Sequence, residues 1–191
     1  MSENKWSETV ILIDADYLDR VAFDFIINFE RMINRPIPVG DLCHWLDCVA
    51  LDGGLQQGEN DVQAVFLHSK TKKALENLRP GDFETELNGR AFKDNIAEFT
   101  LLSFPVEEVV SPSDFYVQSL EALLESQQVK RLLLVPDMQA VGVRVQKICA
   151  EAENTHITLF AMHPIEPQGF NHEILGYSLM SALGIRSDEL G

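Results

Sequence analysis

The run Val10-Ile-Leu-Ile13 stops abruptly at Asp14, and from Leu18 onward the apolar residues change period. A continuous β-branched run has no polar face, so it suits a strand buried on both sides, as in a parallel sheet covered by helices. Leu18, Val21, Ala22, Phe25, Ile26, Phe29, Met32 and Ile33 then recur at the three-to-four spacing of an amphipathic helix, which Pro36 and Pro38 are expected to end.

The alternation continues. Asp41 reads as the N-cap of a second helix with Leu42, Trp45, Leu46 and Val49 inward and Gly53-Gly54 closing it. Strands are expected at Val62 to His68 and Phe99 to Phe104, with Val106 to Val110 extending or following the latter. Ser113-Asp114 caps a helix running to about Gln127, and Arg131 to Val135 is a strand stopped by Pro136-Asp137. A helix over Val141 to Glu153, a strand over His156 to Met162, breaks at Pro164 and Pro167 and a closing helix over Phe170 to Leu183 complete the pattern. Residues 69–98, rich in Lys and Arg around Pro80-Gly81, predict a surface insertion with one or two short helices. The pattern predicts one α/β domain over residues 1–191: three-layer and Rossmann-like, with a mainly parallel sheet of about five strands and helices on both faces.

Charge narrows the function. Thirty acidic residues against 15 basic ones give a net charge of −15. That repels phosphate backbones and disfavours a passive nucleic-acid coat, yet suits a small acidic site that recruits divalent cations. Cys43, Cys48 and Cys149 include no C-x-x-C pair, so neither a disulfide framework nor a zinc knuckle is expected; they read as small buried hydrophobes of a reducing cytosol. The opening MSENKWSETV shows no signal peptide, and the longest apolar runs are far short of the roughly 20 residues that span a bilayer. A cytoplasmic protein without membrane contact is the expectation. There is no glycine-rich phosphate loop, nucleophile elbow or H-E-x-x-H motif, and the five histidines have no ligand-like spacing. The Lys70–Lys73 cluster reads as a solvated helix face or as the one contact for a polyanion.

In an open α/β sheet, ligands collect beyond the carboxyl ends of the strands where strand order reverses. Asp14 and Asp16 follow the first strand, Asp137 follows the Arg131–Val135 strand, and Asp114 opens the helix leading into it. If those two strands are neighbours, Asp14, Asp114 and Asp137 converge on one crevice. Clustered carboxylates repel one another unless a cation sits among them, and Mg²⁺ or Mn²⁺ prefers such oxygen ligands. Aspartates also favour strand-to-helix turns for capping alone.

The opening Val10-Ile-Leu-Ile-Asp14-Ala-Asp-Tyr-Leu18, with the order of elements over Val109 to Met162, resembles NYN/PIN-like nuclease domains. The resemblance implies a divalent-metal-dependent ribonuclease with Mg²⁺ or Mn²⁺ held by Asp14, Asp114 and Asp137, and Asp16 and Gln139 as supporting or weak ligands. RNA would then be the substrate. The chain departs from that family at two places. Tyr17 stands where the family has Asn, and Pro136-Asp137-Met138-Gln139 replaces its Gly-Asp-Ser-Asp, so one acid becomes an amide. These departures imply an alternative: a catalytically weakened relative that serves as an interaction or regulatory module for a protein partner. Asp14-Ala-Asp16 after a strand also resembles the first motif of haloacid-dehalogenase-type phosphatases, with Asp14 as nucleophile, Asp16 as general acid and His68-Ser69 near the phosphate.

Overall fold

A computed structural model describes residues 5–166 and 168–191. The expectations that touch Met1–Asn4 and Pro167 lie outside the described residues. Strand β1 (Thr9–Asp14) leads directly into helix α1 (Ala15–Ile33). A two-residue strand β2 (Gly40–Asp41), helix α2 (Leu42–Asp52) and strand β3 (Asp61–Ser69) follow. After β4 (Leu78–Arg79), β5 (Arg90–Lys93) and β6 (Glu98–Val106) come α3 (Pro112–Glu125), β7 (Arg131–Val135), α4 (Met138–Glu151), β8 (His156–Ala161), β9 (Asn171–Ile174) and α5 (Leu175–Ala182).

Seven strands form one sheet in the order β5-β6-β3-β1-β7-β8-β9, and all neighbours are parallel except β5 on β6. The architecture is α/β with a mainly parallel sheet. Strand β1 is central, and its alternate residues supply two cores. Ile11 and Ile13 join α1, α2 and α5 on one face, while Val10 and Leu12 join α3 and α4 on the other. All four side chains are wholly buried, each contributing about 1.5–3 kcal/mol of apolar burial. That two-sided burial is the physical reason for the unbroken run Val10–Ile13. Tyr116 of α3 ties its helix to the same strand, its buried hydroxyl donating to the Leu12 carbonyl at 2.9 Å.

The sheet has seven strands where about five were expected, and both additions are edges. Strand β5 lies within residues 69–98, and that segment is not a surface insertion of short helices. Leu75, Leu78, Phe83, Leu87, Ile96 and Ala97 all enter the core shared with α1 and α2. The only helical stretch there is a single π-type turn, Phe83–Leu87, capped by Asp82. Asp19 of α1 organises the approach to it. Asp19 is 2 % exposed and accepts from Lys72 Nζ at 2.5 Å and from the amides of Glu76 and Asn77 at 3.0 and 2.9 Å. Burial alone would raise the Asp19 pKa, but the Lys72 ammonium and the amides outweigh it and hold the carboxyl below its usual range. Lys72 is thus spent inside the fold, and the Lys70–Lys73 stretch is a loop rather than a helix face.

The second addition is β9, which takes the first turns of the expected Phe170–Leu183 helix. Pairing with β8 in the register Thr158↔Asn171 to Ala161↔Ile174 satisfies its backbone, and the helix starts only at Leu175. Helix α1 ends at Ile33 with Asn34 in the left-handed conformation, before either proline. Met32, expected inward, is exposed. Cys149 is buried as expected, whereas Cys43 and Cys48 are half-buried. No described helix is long and apolar enough to cross a membrane.

Candidate functional site

The chain runs from β1 outward to β3 and β6, then returns to place β7 on the other side of β1. Strand order therefore reverses between β1 and β7, and the crevice beyond their carboxyl ends is where a sheet of this kind receives ligands. Asp14 is the last residue of β1, and Asp137 lies two residues past β7. Both are helix N-caps. Asp14 accepts from the Tyr17 amide at 3.1 Å, and Asp137 accepts from the amides of Gln139 and Ala140 at 3.1 and 3.4 Å. An Asp at this position satisfies amides that the first helical turn leaves without partners.

Asp14 also senses the charge of Asp137. Burial pushes the Asp14 carboxyl up to about 6, and the nearby Asp16 and Asp137 carboxylates add to the rise. The Tyr17 amide and the Arg20 guanidinium oppose it. Arg20 itself sits on Asp137, Nη2 donating to Oδ2 at 2.9 Å, with its guanidinium carbon 5.6 Å from the centre of the Tyr17 ring.

Asp114 takes a different role from the one expected. The cap of α3 is Ser111, whose hydroxyl accepts from the Asp114 amide at 3.1 Å, and Pro112 begins the helix. The Asp114 carboxylate is left to turn sideways and accept from Arg144 of α4 at 2.9 Å. That guanidinium, helped by the Ser111 hydroxyl, holds Asp114 below the usual carboxylate range. Asp16 bonds away from the crevice, Oδ2 accepting from the Ser69 amide at 2.9 Å and so pinning the end of β3 to α1; its Oδ1 is buried without a partner. Gln139 is exposed at the first turn of α4. Among the described residues, no group of three or more His, Cys, Asp or Glu side chains is placed to hold a metal ion.

A sequence model describing a family of unknown function, DUF6621, matches residues 3–190. The chain belongs to DUF6621. No curated protein and no solved structure matches it.

Beside the capping aspartates, this DUF6621 chain opens a cleft of about 440 Å³ between α1, the start of α4 and the segment after β8. Val21, Phe25, Met138 and Met162 give it an apolar floor, and Tyr17, Arg20, Asn28, Gln139 and His163 form its rim. Of the rim, only Tyr17 and Gln139 stood out in the sequence, as departures from a nuclease motif. Arg20 and Asn28 share a face of α1, which is legible as helical spacing, but only the β1–β7 adjacency shows that this face looks into the crevice.

Proposed function

We propose that this DUF6621 chain is a PIN/NYN-like domain of three-layer, Rossmann-like build that acts as an interaction or regulatory module, its crevice used for binding rather than hydrolysis. The Arg20–Asp137 pair carries this reading. A guanidinium built into the chain stands on the carboxylate that a metal-dependent nuclease would offer its ion. A second guanidinium, from Arg144, stands on Asp114. Gln139, in the place of a further acid, brings a carbonyl without negative charge.

The donor set does not fit Mg²⁺ or Mn²⁺. Such an ion would have to compete with Arg20 for Asp137 and with Arg144 for Asp114. Of the three aspartates, Asp14 has no direct arginine partner, and burial raises its carboxyl to about 6. The cleft beside these residues has an apolar floor, an aromatic ring and amide-bearing side chains on its rim. Those features suit a ligand with a flat apolar body and a polar edge, or a partner protein's side chain of that kind.

A second reading, a Mg²⁺- or Mn²⁺-dependent ribonuclease at Asp14, Asp114 and Asp137, rests on one observation. The Asp137 charge reaches Asp14 strongly enough to raise its pKa, as two ligands of one ion would do without the ion. Thermal melting with millimolar Mn²⁺ or Mg²⁺, run beside incubation with single-stranded RNA, separates the two readings. The module predicts that metal leaves the melting temperature of both the natural chain and Asp14→Asn where it was, with RNA intact. A metal-induced rise that Asp14→Asn abolishes, together with RNA cleavage, overturns the module and establishes the nuclease.

A further inference from the structure

Where α2 meets α5, three side chains with metal-binding atoms come together away from the crevice. His44 and Cys48 are four residues apart and share one face of α2. His44 Nε2 lies 2.7 Å from Ser181 Oγ of α5 and 3.7 Å from Cys48 Sγ. Ser181 lies close enough to Cys48 to favour its thiolate. A nitrogen and a sulfur donor thus lie side by side, with a hydroxyl against the nitrogen. His44 and Ser181 are exposed there, so an ion has a path in from solvent.

The spacing fits a metal. In a tetrahedral Zn²⁺ site, with bonds of about 2.05 Å to nitrogen and about 2.3 Å to sulfur, the two donor atoms stand about 3.6 Å apart. The Nε2–Sγ separation therefore needs little adjustment to admit the ion. Local charge favours a cation too. Asp52, one turn beyond Cys48 on the same helix, places negative charge near the thiol.

We propose that His44 and Cys48 form a two-residue chelate for a thiophilic divalent cation of the Zn²⁺ class, with the Ser181 hydroxyl hydrogen-bonded to a water on the ion. As the sulfur–metal bond forms, the thiol proton leaves to solvent, so one proton is released per ion bound. The remaining positions stay open to water or to a donor from outside the chain. Because the thiol must lose its proton to bind, binding tightens as pH rises.

Co²⁺ is a suitable probe, since a cobalt–thiolate bond gives a charge-transfer absorption that oxygen ligands do not. The chain is titrated with Co²⁺ under a non-thiol reductant, and Zn²⁺ is then added as competitor. The band is expected in the natural chain and in Cys43→Ser, is abolished by Zn²⁺, and is lost in Cys48→Ser. His44→Gln weakens binding at least tenfold. Melting curves of each variant without metal confirm folding, and Zn²⁺ raises the melting temperature only where the band is seen. Absence of the band in the folded natural chain, its survival in Cys48→Ser, its loss in Cys43→Ser, or unchanged affinity in His44→Gln overturns the chelate.

Discussion

Arg20 and Asp137 lie 117 residues apart in the chain and 2.9 Å apart in space, one on the helix that follows β1 and the other on the cap that follows β7. Their bond links the elements that follow the two central strands. It also places a permanent positive charge beside two carboxylates, and that charge moderates the repulsion between Asp14 and Asp137.

Replacing Arg20 with alanine removes that moderation. Because the Arg20 side chain is 59 % exposed, the stability cost is expected to stay within about 1 kcal/mol in a urea titration. The Asp14 carboxyl loses an attractive neighbour, so its pKa moves further up from about 6. A carboxyl-carbon NMR titration reads the shift, and no upward movement would show that the guanidinium is not felt at Asp14.

Asp14 makes stability pH-dependent in a direction opposite to that of an ion-paired acid. Its folded pKa lies above its ordinary value, so between about pH 4 and 6 the native state holds a proton that the unfolded chain has released. Stability from this group is therefore full below pH 4 and lost as the pH rises through 6. Asp14→Asn keeps an N-cap acceptor and removes the charge, and is expected to gain up to about 2–3 kcal/mol over the natural chain at pH 7. The gain should vanish near pH 4. Equal differences at both pH values would refute the assignment.

Asp19 is a costly carboxylate to remove. Asp19→Ala leaves the Lys72 ammonium and the amides of Glu76 and Asn77 without their acceptor, for an expected loss of about 3–5 kcal/mol. Lys72→Met should cost less, because the amide bonds to Asp19 remain. Hydrogen exchange at Glu76 and Asn77 checks the mechanism: both amides should lose protection in Asp19→Ala and keep it in Lys72→Met.

Gly81 is held by its neighbours' backbone. A Cβ there would lie 2.4 Å from the Leu75 carbonyl oxygen and 2.8 Å from that of Leu78, and neither oxygen sits on a flexible side chain. The Leu75 amide donates to the Gly81 carbonyl at 2.9 Å, so the turn cannot open without losing that bond. Gly81→Ala is expected to destabilise by about 2 kcal/mol or more, read from the denaturation midpoint.

The elements most legible in the sequence were those whose signal is local. Val10–Ile13 and Leu132–Val135 declare buried strands because both faces of each must be apolar, and Asp41 declares its helix because an N-cap acts within three residues. Residues 69–98 were illegible because their conformation is fixed by distant groups, above all Asp19, which lies 53 residues before Lys72. Strand β9 was hidden in polar residues, Asn171-His-Glu, whose strand identity comes from the β8 backbone. At the crevice, the positions of Asp14 and Asp137 followed from strand ends. Their arginine neighbours did not, since a pairing across 117 residues leaves no trace in periodicity, and Asp114 was misread because Ser111, three residues earlier, had already taken the cap.

The margins of the sheet differ from its interior. Strand β5 runs against the others and carries Arg90 and Lys93 at its ends, while β9 is only four residues long and bears Glu173. A stranger's backbone approaching either border meets a charged side chain before it can form more than a few hydrogen bonds. Copies of this protein should therefore stay apart at high concentration rather than zip together edge to edge, and the apolar centre that drives folding is screened from promoting fibres.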